Sequence, residues 1–541
     1  MLFRLKPSVI LTVMALAHQA HAQQLPDASV LYPETQPRLA PPPASPAFKL
    51  DGGALPAGRQ GGEKFELKEV RFQGNTVLPG ARLEDAVRPY IGKPVDLAGL
   101  QDVANAVSAA YRAAGYPFAR AYLPRQDVAN GVVVLDVVEG RFGEVAATVG
   151  DGSAQRTSAE AQAYLGTMKT GEVMAAAEIE RAALIMNDLP GYTAIPIVRP
   201  GATLGSGDLE MRLVEEERLR ASVGVDNHGS RYTGLYRTRV DVARTRNVVF
   251  GDELRLTGLL TDGKTGMVHV GYGLPLMPNG LRMDLSAVHS QYELTGGWMT
   301  GEGFNGKADI VSSQVSYPVL RSQSANLSLA AAAQHKRYTN EIGARERYNV
   351  NALPLTMNFD VRDQLNGGGL TYGALAVQAA RVGNDNIDNP ERDREFSKLN
   401  LDLVRVQRIT DRVQASIKAS GQHTDDNIDS TEFISISGPY AVRAFPIGEF
   451  SGHRGWSAQA EVSYNLPQYH LAPYLFYDEG QAVNTTTRLR RTLAGYGIGA
   501  RYAHDGWGVD LVAAWARTGK PSEVEPHESG ARFWVSVSKR F

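Results

Sequence analysis

Residues 218–541 read as strand after strand, with no break that divides them into separate domains. This feature constrains the fold more than any other. Within 456–464, Trp456, Ala458, Ala460, Val462 and Tyr464 alternate with Ser457, Gln459, Glu461 and Ser463. Within 494–502, Ala494, Tyr496, Ile498, Ala500 and Tyr502 alternate with Gly495, Gly497, Gly499 and Arg501. Leu281, Met283, Leu285 and Ala287 alternate with Arg282, Asp284 and Ser286. Successive strand side chains point to opposite faces, so each segment has one apolar and one wet face. A soluble sandwich alternates too, but over this length it needs several domains with boundaries. The candidate strands number roughly sixteen, and single-chain bacterial barrels use even numbers. Leu403-Val404-Arg405-Val406 breaks its own alternation. The expected fold class is mainly β: a transmembrane antiparallel barrel of roughly sixteen strands.

Composition excludes several kinds of chemistry. The chain has no cysteine, so disulfides, thiolate metal sites and a cysteine nucleophile are out. Its net charge is −2, which gives no global field for nucleic acid. Beyond the N-terminus no apolar run is long enough for a transmembrane helix, so any crossing is made by strands. The His residues are scattered without HExxH, and no metal or other cofactor is assigned. No G-x-S-x-G elbow is present, and no catalytic residue is expected. Asp425-Asp426 and Glu215-Glu216-Glu217 read as solvated charge. Gly367-Gly368-Gly369 reads as a hairpin loop.

Residues 1–22 read as a secretory signal: Arg4 and Lys6, an apolar Val9–Ala17, then Ala20-His21-Ala22. Residues 23–62 hold eight prolines and two Gly-Gly pairs. They read as a linker, partly polyproline II and partly flexible. A short tethered plug and a plain spacer both stay open there.

Residues 64–143 predict a small β-α-α-β-β module. Phe65–Phe72 alternates as a strand, and Gly74-Asn75 turns it. Leu83, Ala86, Val87 and Tyr90 recur at helical spacing. Asp96 is the expected N-cap of a second helix bearing Leu100, Val103, Ala104, Val107 and Tyr111. Gly115 and Pro117 stop it, and strands at 118–123 and 132–138 follow. Residues 144–217 repeat the order more faintly, with helices marked by Ala161–Met168 and Ile179–Leu189 and strands at 195–199 and 208–214.

Within the barrel, one stretch stands apart. It runs from Gly438-Pro439-Tyr440-Ala441-Val442-Arg443-Ala444-Phe445 to Phe476-Tyr477-Asp478-Glu479-Gly480. Arg443 sits in a loop-like Gly/Pro context. Tyr474, Phe476, Asp478 and Gly480 share one strand face, and an Asp facing lipid at mid-depth is costly, so that face is the wet one. The chain ends on an aromatic, Phe541, as a strand closing the barrel seam.

On these residues the chain from 23 to 541 resembles the outer-membrane transporters of two-partner secretion, the TpsB or ShlB/FhaC/HecB type. The family's Val-Arg-Gly-Phe/Tyr loop motif stands here as Val442-Arg443-Ala444-Phe445. Ala replaces a Gly that tolerates positive φ. The strand motif Phe476-x-Asp478-x-Gly480 is intact. The resemblance implies two periplasmic POTRA modules, 64–143 and 144–217, ahead of a barrel at 218–541 with a loop near 438–455 folded inward. It implies that Arg443 meets Asp478 as a latch between loop and wall, and that Phe541 is an assembly signal. Further implied are capture of an unfolded secreted exoprotein, TpsA-like, through its N-terminal secretion domain, and export without ATP. The expected partners are that exoprotein, outer-membrane lipid and the barrel-assembly machinery; no nucleic acid is expected, and the chain is expected to be monomeric. The alternatives are a barrel insertase and a passive diffusion channel.

Overall fold

The computed structural model describes residues 41–42, 48, 50, 52–58, 61–128, 130–150, 156–295, 304–342, 344–383, 394–520, 522, 524–525 and 530–541. The signal reading of 1–22 lies outside the described residues, as does most of 23–62.

The first module is a three-stranded sheet with helices Gly80–Val87 and Leu97–Ala113 packed on it. Strand Val132–Glu139 is central, parallel to Glu69–Gln73 and antiparallel to Ala119–Tyr122. The Asp96 carboxylate accepts from the Gly99 N–H at 3.0 Å and caps the long helix. Leu83, Val103, Val107, Val133 and Leu135 are fully buried between helices and sheet. The expected single strand over 65–72 is two. Phe65–Glu66 pairs with Pro94–Val95 in a separate ribbon, and Glu69–Gln73 joins the main sheet. The chain breaks where Leu67 turns fully into the core and Lys68 and Glu69 donate to the Gly131 carbonyl.

A second sheet of four strands follows, in the order 156–157, 141–149, 206–215, 192–200, backed by helices Ala159–Ala163 and Ala176–Asn187. Only Gly140 separates the two sheets, and a Cβ there would lie 2.7 Å from that of Phe118. The helix read from Ala161 to Met168 closes after one turn, at Ala163.

The rest of the chain closes into a barrel of sixteen antiparallel strands. They are β1 (Leu219–Asp226), β2 (Arg237–Thr245), β3 (Glu253–Thr261), β4 (Gly266–Pro275), β5 (Arg282–Glu293) and β6 (Asn305–Arg321). Next come β7 (Ala325–Ile342), β8 (Ala344–Asp363), β9 (Gly369–Gly383), β10 (Glu395–Arg408) and β11 (Val413–His423). The last are β12 (Arg454–Tyr464), β13 (Leu471–Asn484), β14 (Leu489–His504), β15 (Trp507–Thr518) and β16 (Arg532–Arg540). The seam pairs β1 with β16 from Ser222↔Arg540 to Asp226↔Ser536, so no edge stays open. Phe541 extends it, its N–H donating to the Ala221 carbonyl at 2.9 Å.

Sequence alternation becomes wall polarity. Leu353, Leu355, Leu475, Tyr496 and Ile498 face outward, exposed. The irregular run at 403–406 keeps this geometry: Leu403 is exposed and Val404 buried. Its polarity departs because Val404 and Val406 line a lumen cavity, while Arg405 forks onto Asp363 near the module end.

The second module is fastened to the barrel. Asp188 takes both its carboxylate bonds from Arg321, each 2.8 Å, and Glu180 accepts from the Gln323 N–H at 2.7 Å. Phe250 packs on Tyr192 at 4.7 Å between centroids, the rings tilted by 33°. The Glu215–Glu217 run is not simply solvated. Glu215 pairs with Arg246, which also donates to the Glu216 carbonyl. The described part of the proline-rich linker is also held. Phe48 and Leu50 pack on the second core, and Arg112, Arg120 and Asn105 donate to the carbonyls of Gly53, Gly52 and Pro56.

Candidate functional site

Residues 424–453 leave β11 at the end away from the modules and return as β12. The loop folds into the barrel. Gly438 takes φ +97°, a left-handed turn that Gly adopts without strain. Beyond it, Ala441 donates to Gly438 and Val442 to Ile436, and Val442 bridges back to Ser437. This tight knot projects Arg443 at the wall.

Arg443 is buried and forks onto Asp478: Nε reaches Oδ2 at 2.8 Å and Nη2 reaches Oδ1 at 2.7 Å. Its backbone N–H also donates to Oδ2, at 3.1 Å. Asp478, 0 % exposed on β13, thus accepts three bonds from one loop residue. A planar fork suits this; Lys lacks it. Desolvating both ions is costly, and the gain depends on saturating the carboxylate as seen here. The guanidinium also lies 3.5 Å over the Phe476 ring. Phe445 and Val442 are buried beside Phe476 and Ile436 in one apolar cluster.

Gly480 has a spatial reason. A Cβ there would lie 3.2 Å from that of Ile436 and 3.1 Å from the Trp456 carbonyl, so the wall is bare where the loop presses on it. Ala444 keeps a negative φ, so the turn does not need the glycine of the motif.

Sequence reasoning did not single out the groups completing the site. Glu461 on β12 accepts from Arg443 Nη1 at 3.3 Å and also pairs with Arg501 on β14. Arg501 lies 4.0 Å over the Tyr474 ring, and Tyr474 donates to Asp510 at 2.8 Å. Trp534 on β16 donates its indole N–H to the Arg443 carbonyl at 2.7 Å. The signal was partial: Glu461 and Arg501 are the charged members of the wet faces of their two segments. Alternation sends a side chain to the lumen but does not say what it meets there. A cavity of about 340 Å³ lies beside the loop, lined by Arg443, Glu461, Arg501 and Val404 among others. Phe541 takes no part; it sits at the module end of the seam.

Comparison with known proteins agrees with the fold of modules followed by a barrel. The family model "Haemolysin secretion/activation protein ShlB/FhaC/HecB" matches residues 205–502. The model "POTRA domain, ShlB-type" matches residues 65–140. The heme/hemopexin transporter protein HuxB of Haemophilus influenzae is 25% identical, over 95% of each chain. The outer membrane transporter CdiB of Escherichia coli is 22% identical, over 83% of this chain and 76% of that one. The solved structure of CdiB from Escherichia coli superposes with a TM-score of 0.71 at 19% identity, covering 100% of both chains.

Proposed function

Because the chain belongs to the haemolysin secretion/activation protein family ShlB/FhaC/HecB, outer-membrane transporters with periplasmic POTRA domains, we propose that it exports an unfolded partner exoprotein. The modules capture the partner's N-terminal secretion domain in the periplasm. The barrel then passes the chain outward without ATP, and folding of the partner outside supplies the direction. The Arg443–Asp478 contact serves as a latch that sets the loop in the pore. The relatives HuxB and CdiB are named as transporters, of heme/hemopexin in the first case.

One observation carries this reading. A loop crosses the lumen on a buried ionic contact, beyond two tandem modules of which the second is fastened to the barrel mouth. A passive diffusion channel does not need such modules. The test is secretion of the partner exoprotein into the medium by cells expressing the chain. Deleting residues 64–217 should abolish release while the barrel still reaches the outer membrane. Intact release by that deletion refutes the capture role.

A further inference from the structure

The loop has a second buried ionic contact, away from Arg443. On its outgoing stem, the turn Ser430–Glu432 lies against the opposite stretch of wall. Glu432 is 1 % exposed, and its carboxylate sits between two lysines. Lys336 Nζ on β7 is 2.6 Å from Oε1, and Lys398 Nζ on β10 is 2.8 Å from Oε2. Gln378 on β9 donates to Oε2 at 3.2 Å, and Gln422 on β11 donates to the Glu432 carbonyl at 2.9 Å. Tyr348 on β8 adds a bond to Asp429 at 2.8 Å. Five consecutive strands, β7 to β11, therefore grip the loop at two residues, Asp429 and Glu432.

Lys336 is 0 % exposed, and ammonium groups are almost never fully buried unless paired. Lys is also the more strongly hydrated of the two basic side chains, so burying a pair of them is costly. Apolar residues would fill the same space at less cost. A charged triad makes sense where the contact has to come apart into water. Separation rehydrates three ions, whereas separation of an apolar plug exposes bare hydrocarbon.

We propose that Glu432, held by Lys336 and Lys398, is a second releasable anchor that closes the outer half of the pore independently of the Arg443–Asp478 contact. The loop is then a bar braced on two walls: β7–β11 at its stem and β12–β16 at its apex. A chain crossing the lumen has to free the stem. The anchor itself stands on geometry alone; its part in export rests on the function proposed above.

Single-channel recording of the full-length protein in planar bilayers tests this. Glu432→Gln keeps the shape and leaves two ammoniums facing each other, so open-state occupancy should rise about tenfold or more. Lys336→Gln should also raise it, and the Glu432→Gln/Lys336→Gln double variant should fall well short of the combined effects. Glu432→Gln combined with Arg443→Ala should instead combine fully, as independent anchors do. Gln378→Leu removes one neutral donor and should give a smaller rise, which covers the case in which Glu432→Gln does not assemble. Assembly is read by heat-modifiable mobility. Wild-type occupancy in an assembled Glu432→Gln barrel overturns the proposal. So does the absence of any further rise when it is added to Arg443→Ala. If these conductance effects appear but the wild-type chain exports no exoprotein, the anchor stands and the export reading fails.

Discussion

The methyl of Ala444 is seated against Gly495 of β14. A Cβ built on Gly495 would overlap it, so the loop's extra methyl is matched by a bare position on the wall. Gly495→Ala should therefore unseat the loop, raising channel conductance and lowering secretion while the barrel assembles. Ala444→Gly in the same chain should restore part of the function. Full recovery is not expected, because the added methyl also lies 2.9 Å from the Trp515 carbonyl. Unchanged conductance in Gly495→Ala refutes the seating.

Arg443→Ala should sharply reduce secretion, and Arg443→Lys should recover only part, since Lys cannot fork. Asp478→Ala should resemble Arg443→Ala, and the double variant should be no worse than either single one. Arg443 keeps its fork on Asp478 when Glu461, the longer contact at 3.3 Å, is changed, so Glu461→Gln should cost less than Asp478→Ala. A purely additive loss in the Arg443/Asp478 cycle argues against one shared interaction.

The absence of cysteine makes a clean locking experiment available. Ile436→Cys with Gly480→Cys brings two Cβ atoms to 3.2 Å, near the roughly 3.5–4.5 Å a disulfide takes. Oxidised cells should retain the partner exoprotein, and reductant should release it. Equal secretion with the disulfide formed shows that the loop does not move from the wall during export.

In the first module, Glu139 is 4 % exposed. Burial pushes its carboxyl up. The Thr76 hydroxyl, the Val77 N–H at 2.9 Å and the Tyr111 hydroxyl at 2.7 Å outweigh this and hold it below the ordinary value of 4.5. A carboxyl depressed on folding adds stability above its unfolded value and loses it as pH falls through the folded one. Module stability, read by urea unfolding, should therefore decline as pH drops below about 4.5. Glu139→Gln should flatten that decline and cost roughly 2 kcal/mol at neutral pH. An unchanged pH profile in the variant removes Glu139 as its source.

Phe541 donates to Ala221 across the seam, one residue past the last strand pair. Its removal should lower the amount of heat-modifiable barrel in the outer membrane, with secretion falling in proportion. Normal barrel levels with lost secretion contradict an assembly role.

Alternation in the sequence determined the barrel, because a strand's side-chain period is fixed by backbone geometry and needs no partner to be read. It placed Asp478 and Phe476 inside and Tyr496 and Ile498 outside, and helical spacing with the Asp96 cap gave the first module its long helix. Register and long-range meeting are a different kind of information. Glu461 and Arg501 lie 40 residues apart and pair only because β12, β13 and β14 stand side by side. Lys336 and Glu432, 96 residues apart, gave no local signal at all. The linker carbonyls captured by Arg112 and Arg120, and the split at Leu67, were decided the same way. Local pattern specifies which face a side chain takes; closure of the barrel and the path of the loop through it specify what that side chain touches.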